Sequence, residues 1–207
     1  MHKTFISYQH SNEQTLKETI IEQSKLKDEF IDKSVSDGDI SPDLSEETIM
    51  SKIRTEYIQD SSVMIVLIGE ETAQRPYINS EIQAGLWGDN PVGLIGVVRD
   101  ELYDMFYTNT VCHNPECACG VALLTPTVLH NEKLPFLVKE NNVILEHGKC
   151  IHPHYLNSDA YCSVYRYSDF INNIEKYVDE SYQKRNKLFE IKKKNVPGIK
   201  TIRHPFG

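Results

Sequence analysis

The chain has 207 residues, of which 40% are hydrophobic and 25% charged, with a formal net charge of −8. That length and apolar share suit one substantial core and one elaborated domain rather than two, while the acidic balance argues against a general binder of nucleic acid or of anionic membranes. Five cysteines at irregular spacing fit reduced thiols better than a secreted disulfide framework; with no signal-peptide core and no apolar run of membrane-spanning length, the expectation is a soluble cytoplasmic protein.

In chain order, Lys3 to Tyr8 reads as the first strand. Ser11 through Gln14 fits a capping box, the serine accepting from a free helix N–H and the glutamine reaching back. The helix it opens runs to about Lys25, with Leu16 and Ile20 on one face. Glu29 to Asp32 reads as a short strand and Ser34 to Ser41 as a loop. Ser41-Pro42 then supplies a cap and first residue for a helix bearing Ile49, Ile53 and Ile58. Ser62 to Ile68 is a continuous apolar run, too short for a helix and rich in β-branched residues, the signature of a parallel strand covered on both faces. Pro76 suits the first turn of the next helix, whose Ile78, Ile82 and Leu86 recur at four-residue spacing. Val92 to Val98 is another buried strand. Strands alternating in this way with helices predict an α/β fold, a doubly wound parallel sheet flanked by helices.

From Glu101 to His154 the pattern weakens, and only Phe136 to Val138 and Val143 to Leu145 look strand-like. Order returns with Asp169 as an N-cap, followed by Phe170, Ile174, Tyr177, Val178 and Tyr182 on one face of a C-terminal helix running to about Arg185. The basic stretch from Lys192 reads as a loosely held tail. The resulting division is a single domain over 1–190, with an irregular cysteine-containing insertion at about 101–154, and a basic tail over 191–207.

One carboxylate stands out. Glu81 lies three residues after Ile78 and next to Ile82, at the margin of the buried stripe, on the helix that follows the strongest strand. That is where open α/β sheets bind ligands, beyond the carboxyl ends of their strands. By spacing alone a solvated surface glutamate is the commoner reading, since Glu is seldom buried without a partner.

Phe5-Ile6-Ser7-Tyr8, the Asp37-Gly38-Asp39 loop after the second strand, Val66-Leu67-Ile68-Gly69 and Tyr77-Ile78-Asn79-Ser80-Glu81-Ile82 occur in an order and spacing that resemble the TIR-like domains of the Thoeris antiphage defence system, the ThsB type. The resemblance covers roughly Lys3 to Asp100, and the segment Pro153 to Tyr182, with Asn157, Tyr161-Cys162 and Tyr165, is similar to the closing part of such proteins.

The resemblance implies a flavodoxin-like, TIR-like domain that cleaves the nicotinamide–ribose bond of NAD. It also implies a cyclic ADP-ribose-type signal that activates a separate effector protein, homo-oligomer formation on activation, and NAD as a substrate with no resident cofactor. By carry-over Glu81 is the catalytic carboxylate, stabilising an oxocarbenium-like ribose. The substrate-binding candidates are Ser7, Tyr8, His10, Asp37 and Tyr77. Ser7, Tyr8 and His10 follow the first strand, where backbone amides and an aromatic ring could hold a nucleotide. Packing beneath a loop is an equal alternative for Tyr8, and an ordinary surface position suits His10. Asp37 and Asp39 fit a turn as well as the gating loop that the resemblance implies, and packing is favoured for Trp87.

Cys112, His113, Cys117, Cys119, Cys150, His152, His154 and Cys162 offer enough soft ligands for a structural zinc. They lack a paired C-x-x-C and are widely separated, so scattered reduced thiols are preferred and no metal is expected; Cys112, Cys117, Cys119 and Cys150 are the zinc alternative. Two other readings of the whole chain stay open: a TIR interaction module without catalysis, and a nucleoside-ribosyl-transferring enzyme of related fold. A phosphoacceptor domain is disfavoured, because Gly69-Glu70-Glu71 rather than an aspartate follows the strand ending at Ile68.

Overall fold

The computed structural model describes residues 1–27, 29–34, 45–110, 123–142, 157 and 160–194; for 46–47, 107–110, 123–126 and 131 it describes the backbone alone. The described residues form a five-stranded, all-parallel sheet in the order β2-β1-β3-β4-β7. The strands are β1 (His2–Ser7), β2 (Phe30–Asp32), β3 (Val63–Ile68), β4 (Gly93–Val98) and β7 (Cys162–Arg166). The chain first steps outward from β1 to β2, then returns past β1 and proceeds through β3 and β4 to β7, so the direction of travel switches between β1 and β3. This is the flavodoxin-like strand order.

The uninterrupted apolar runs of β3 and β4 have the physical reason the sequence suggests: every residue of both strands is buried, because helices cover both faces. On one face Phe5, Met64, Val66, Ile68, Leu94, Val98 and Val164 pack against Ile78, Ile82 and Leu86 of α3 (Pro76–Leu86) and Leu137 and Val138 of α6 (Phe136–Asn142). On the other, Ile6, Ile65, Leu67, Ile95 and Val97 pack against Ile20 of α1 (His10–Lys27), Phe170 of α7 (Tyr167–Asn172), and Ile174 and Val178 of α8 (Ile174–Lys184). The close packing of α8 rests on a glycine, since a Cβ on Gly93 would come within 2.3 Å of the Ser181 carbonyl oxygen.

Several local expectations change. The first helix is closed at its start by Glu13, whose carboxylate accepts from the Gln9 N–H, rather than by the Ser11 and Gln14 pair. The helix bearing Ile49 is α2 (Glu46–Lys52), N-capped by Ser45, and it continues as a π-helical turn over Ile53–Ile58; the expected start at Ser41-Pro42 lies outside the described residues. Phe136 to Val138 is not a strand but the start of α6: Pro135 precedes it, and Leu137, Val138, Asn141 and Asn142 are buried at helical spacing. A three-residue apolar run cannot separate the two periods. Residues 143–145 lie outside the described residues.

The expected C-terminal helix from Asp169 is two helices. Arg166 is the N-cap of α7, and the chain breaks at Asn173, with φ −140° and ψ 31°, where the side chain donates back to the Asp169 carbonyl. The described part of the segment expected to be an irregular insertion carries α4 (Asp100–Phe106), a two-stranded antiparallel ribbon of β5 (Tyr107–Thr110) and β6 (Leu123–Pro126), and α5 (Val128–Lys133), besides α6. The tail is held further than expected: Lys192 N donates to Asn141 Oδ1 and the Asn141 amide donates to the Lys192 carbonyl, each at 2.9 Å.

Candidate functional site

The site lies where β1 ends beside α3. Strand alternation turns Phe5 and Ser7 to the same face of the sheet, the face that α3 covers. Pro76 at the first helical position starts α3, and its buried stripe of Ile78, Ile82 and Leu86 fixes its rotation, bringing Glu81, the residue before Ile82, against β1. Ser7 Oγ donates to Glu81 Oε2 at 2.6 Å, the short distance of a charge-assisted bond.

Ser7 is buried and Glu81 partly so. Burial pushes the Glu81 carboxyl up to about 7, and the Ser7 hydrogen bond opposes that rise. No cation among the described residues contributes to lowering it. The result is a carboxyl group poised between its two forms near neutrality, in the region where open α/β sheets take ligands.

Tyr77 stands one helical turn before Glu81 on α3 and is 41% exposed at the same end. Tyr8 is turned the other way. It packs against the core of the α1 face, its hydroxyl donates to Gln14 Oε1 at 2.7 Å and meets His10 Nδ1 at 3.4 Å, and the Lys17 ammonium lies 5.0 Å from its ring centre. His10 opens α1 and is exposed. The structure therefore brings Ser7, Glu81 and the turn of Tyr77 together, and groups Tyr8 and His10 with α1. Trp87, expected to pack, is 49% exposed at the opposite end of α3.

Asp37 and Asp39 lie outside the described residues, as do Cys112, His113, Cys117, Cys119, Cys150, His152 and His154. Cys162 is buried in β7, where burial pushes its thiol up to about 12, a setting for an inert core thiol. Among the described residues no group of His, Cys, Asp and Glu side chains is arranged to hold a metal.

Sequence reasoning passed over a second set of polar residues at this edge. Gln9 donates from Nε2 to Glu71 Oε2 and to Ser11 Oγ, each at 3.1 Å; Glu71 also pairs with Arg75, and Gly69 N donates to Thr72 Oγ1 at 2.8 Å. The four-residue interval from Gln9 to Glu13, a carboxylate one turn into a helix, was the available signal.

Sheet order, helix placement and the carboxylate at the switch edge define an α/β domain of the flavodoxin-like, TIR-like class. Residues 5–103 match the family model described as Thoeris protein ThsB, TIR-like domain, and over that stretch the chain is similar to this family. No curated protein matches the chain. No helix among the described residues is long and apolar enough to cross a membrane.

Proposed function

We propose that this protein cleaves the nicotinamide–ribose bond of NAD, with Glu81 as the catalytic carboxylate, and forms a cyclic ADP-ribose-type signal read by a separate effector. The observation that carries the reading is the Ser7–Glu81 pair: a partly buried carboxyl at the carboxyl edge of the sheet, held by one hydroxyl. The match to a ThsB TIR-like domain supports it.

In this reaction the bond from ribose C1′ to the pyridinium nitrogen breaks, and its electron pair passes to the ring. Nicotinamide leaves neutral and needs no proton. The demand falls on the ribose, where positive charge develops, and an ionised carboxylate aimed at that charge in a site of low dielectric supplies stabilisation. Ser7 supports the ionised form by donating to it, and the cationic ring of the substrate favours the same form on binding. A hydroxyl oxygen or a base nitrogen of the remaining ADP-ribose then attacks C1′ and closes the ring, with one proton released to solvent from the attacking hydroxyl or the base; water in its place gives linear ADP-ribose and also releases one proton.

The test is chromatography with mass detection of NAD incubated with the protein and with Glu81→Gln, each with and without lysate of phage-infected cells as a trigger. A product at the mass of cyclic ADP-ribose, absent for Glu81→Gln, is expected. Turnover is expected to rise with protein concentration as copies assemble. Unchanged NAD in every sample of folded protein would replace this reading with the non-catalytic module, and cleavage of simple nucleosides in preference to NAD with the ribosyl-transferring enzyme.

A further inference from the structure

The elements that carry Ser7 and Glu81 are joined a second time, through α1. Glu13, in the first turn of α1, is fully buried. Its Oε2 accepts from the backbone N–H of Gln9 at 3.1 Å, two residues beyond Ser7. Its Oε1 bears on Gly69, where an added Cβ would come within 2.1 Å of that oxygen. Gly69 opens the connector that leaves β3 and delivers α3, and the Gln9 side chain grips the same connector at Glu71. The exit of β1 and the entry of α3 are thus clamped to each other by Glu13 and Gln9.

A carboxylate is a costly group for this place. Burial pushes Glu13 above the usual carboxylate range, against the Gln9 N–H and the charges of Arg99 and Arg75, which act to lower it. Its Oε1 has no hydrogen-bond partner among the described residues. A buried acceptor left in that state is destabilising and calls for a reason other than stability.

We propose that Glu13 is a positioning residue: by holding the Gln9 N–H and bearing on Gly69, it locks the turn after β1 to the connector before α3 and so fixes Ser7 against Glu81. The proposal rests on the reading of Glu81 as the catalytic carboxylate. Neither Glu13 nor Gly69 touches the reacting atoms, and both act by setting the geometry of the pair that does.

Carbon-13 NMR of glutamate carboxyls reads this without substrate, with the Glu81 signal assigned by its loss in Glu81→Gln. In Glu13→Ala the slackened turn weakens the Ser7 hydrogen bond, which raises the Glu81 midpoint by about half a pH unit or more. Turnover of NAD then falls about tenfold in kcat, with KM within about twofold, since the loss is of alignment rather than of binding. Gly69→Ala leaves every hydrogen-bonding group in place and pushes the Glu13 carboxylate away sterically; it should reproduce both effects, and it serves where Glu13→Ala does not fold. Added to Glu13→Ala it should cost nothing more, because its methyl group enters the vacated space. Glu13→Gln, which keeps an acceptor for the Gln9 N–H, should retain the wild-type midpoint. A folded Gly69→Ala or Glu13→Ala with an unchanged or lowered Glu81 midpoint overturns the proposal. Absence of NAD cleavage by the wild-type chain would instead end the catalytic reading and leave the titration to decide the positioning.

Discussion

Two ionisable groups set into opposite faces of the sheet, one fully and one partly buried, are treated in opposite ways. Lys184 of α8 is 3% exposed, and its ammonium donates to the carbonyls of Asn157 and Ala160 and to the Ser163 hydroxyl, the latter two at 2.7 Å. An ammonium has three donors, and here each has an acceptor. Among the described residues Glu81 of α3, by contrast, receives one hydrogen bond, from Ser7, and no cation of theirs offsets its burial. The first arrangement ties β7 to α8 and has nothing left to offer a ligand. The second leaves acceptor capacity at the carboxyl edge, on a carboxyl pushed up to about 7, which is the feature the proposed function uses.

The contrast is broken most severely at its active end. Glu81→Gln should reduce NAD turnover by about a thousandfold or more, the scale of losing a preorganised charge-stabilising group. Its fold should survive, as checked by circular dichroism. At the satisfied end, Lys184→Met should leave buried carbonyls without donors and lower stability by about 2–4 kcal/mol in urea unfolding. The Glu81 titration should not move in that variant, since the two groups lie on different faces.

The next prediction concerns pH. The folded-state value of about 7 for Glu81 lies above the ordinary 4.5, so the folded chain holds a proton there that the unfolded chain releases. The stability linked to that proton is fully present below the unfolded value and is lost as pH rises through 7. Glu81→Gln, which has no charge to bury, should therefore gain on the wild type between about pH 5 and about pH 8, by up to roughly 3 kcal/mol. Parallel denaturant unfolding at the two pH values checks it. The smallest expected effect is that of Ser7→Ala: loss of one donor to the carboxylate should cut kcat/KM by about tenfold and move the rise of its pH profile upward.

The central architecture was legible because buried parallel strands and stripe-bearing helices leave plain patterns. Val63 to Ile68 and Gly93 to Val98 are unbroken apolar runs, and Pro76 with Ile78, Ile82 and Leu86 announces α3. The strand β7 was not legible as a strand, since Cys162-Ser163-Val164-Tyr165-Arg166 mixes polar and apolar residues as an edge strand can. Phe136 to Val138 misled because three apolar residues carry no period, and the break at Asn173 interrupts an apolar face that continues across it.

At the site, the sequence located Glu81 by its place beside the buried stripe, and its role came from resemblance. Its partner Ser7 is 74 residues away and only the sheet brings it near. The alternation of a strand separates Ser7 from Tyr8, which face opposite sides, although their adjacency in sequence grouped them. The Glu13 contact with Gly69 depends on a side chain crossing from one connection to another, for which no local spacing is diagnostic.

The reciprocal pair between Asn141 and Lys192 has a practical consequence for handling the molecule. Asn141 pairs with the backbone of Lys192 through both ends of its amide, much as a neighbouring strand would, while Phe189 rests edge-on against Tyr161 at 5.7 Å between ring centres. A chain trimmed at residue 190 would keep the aromatic cover and lose the clasp, leaving Asn141 Nδ2 its bond to the Leu137 carbonyl but taking the Lys192 N–H from the buried Oδ1. A fluorescent reporter, affinity handle or surface tether at this end therefore belongs beyond Lys194, where its attachment leaves that clasp intact.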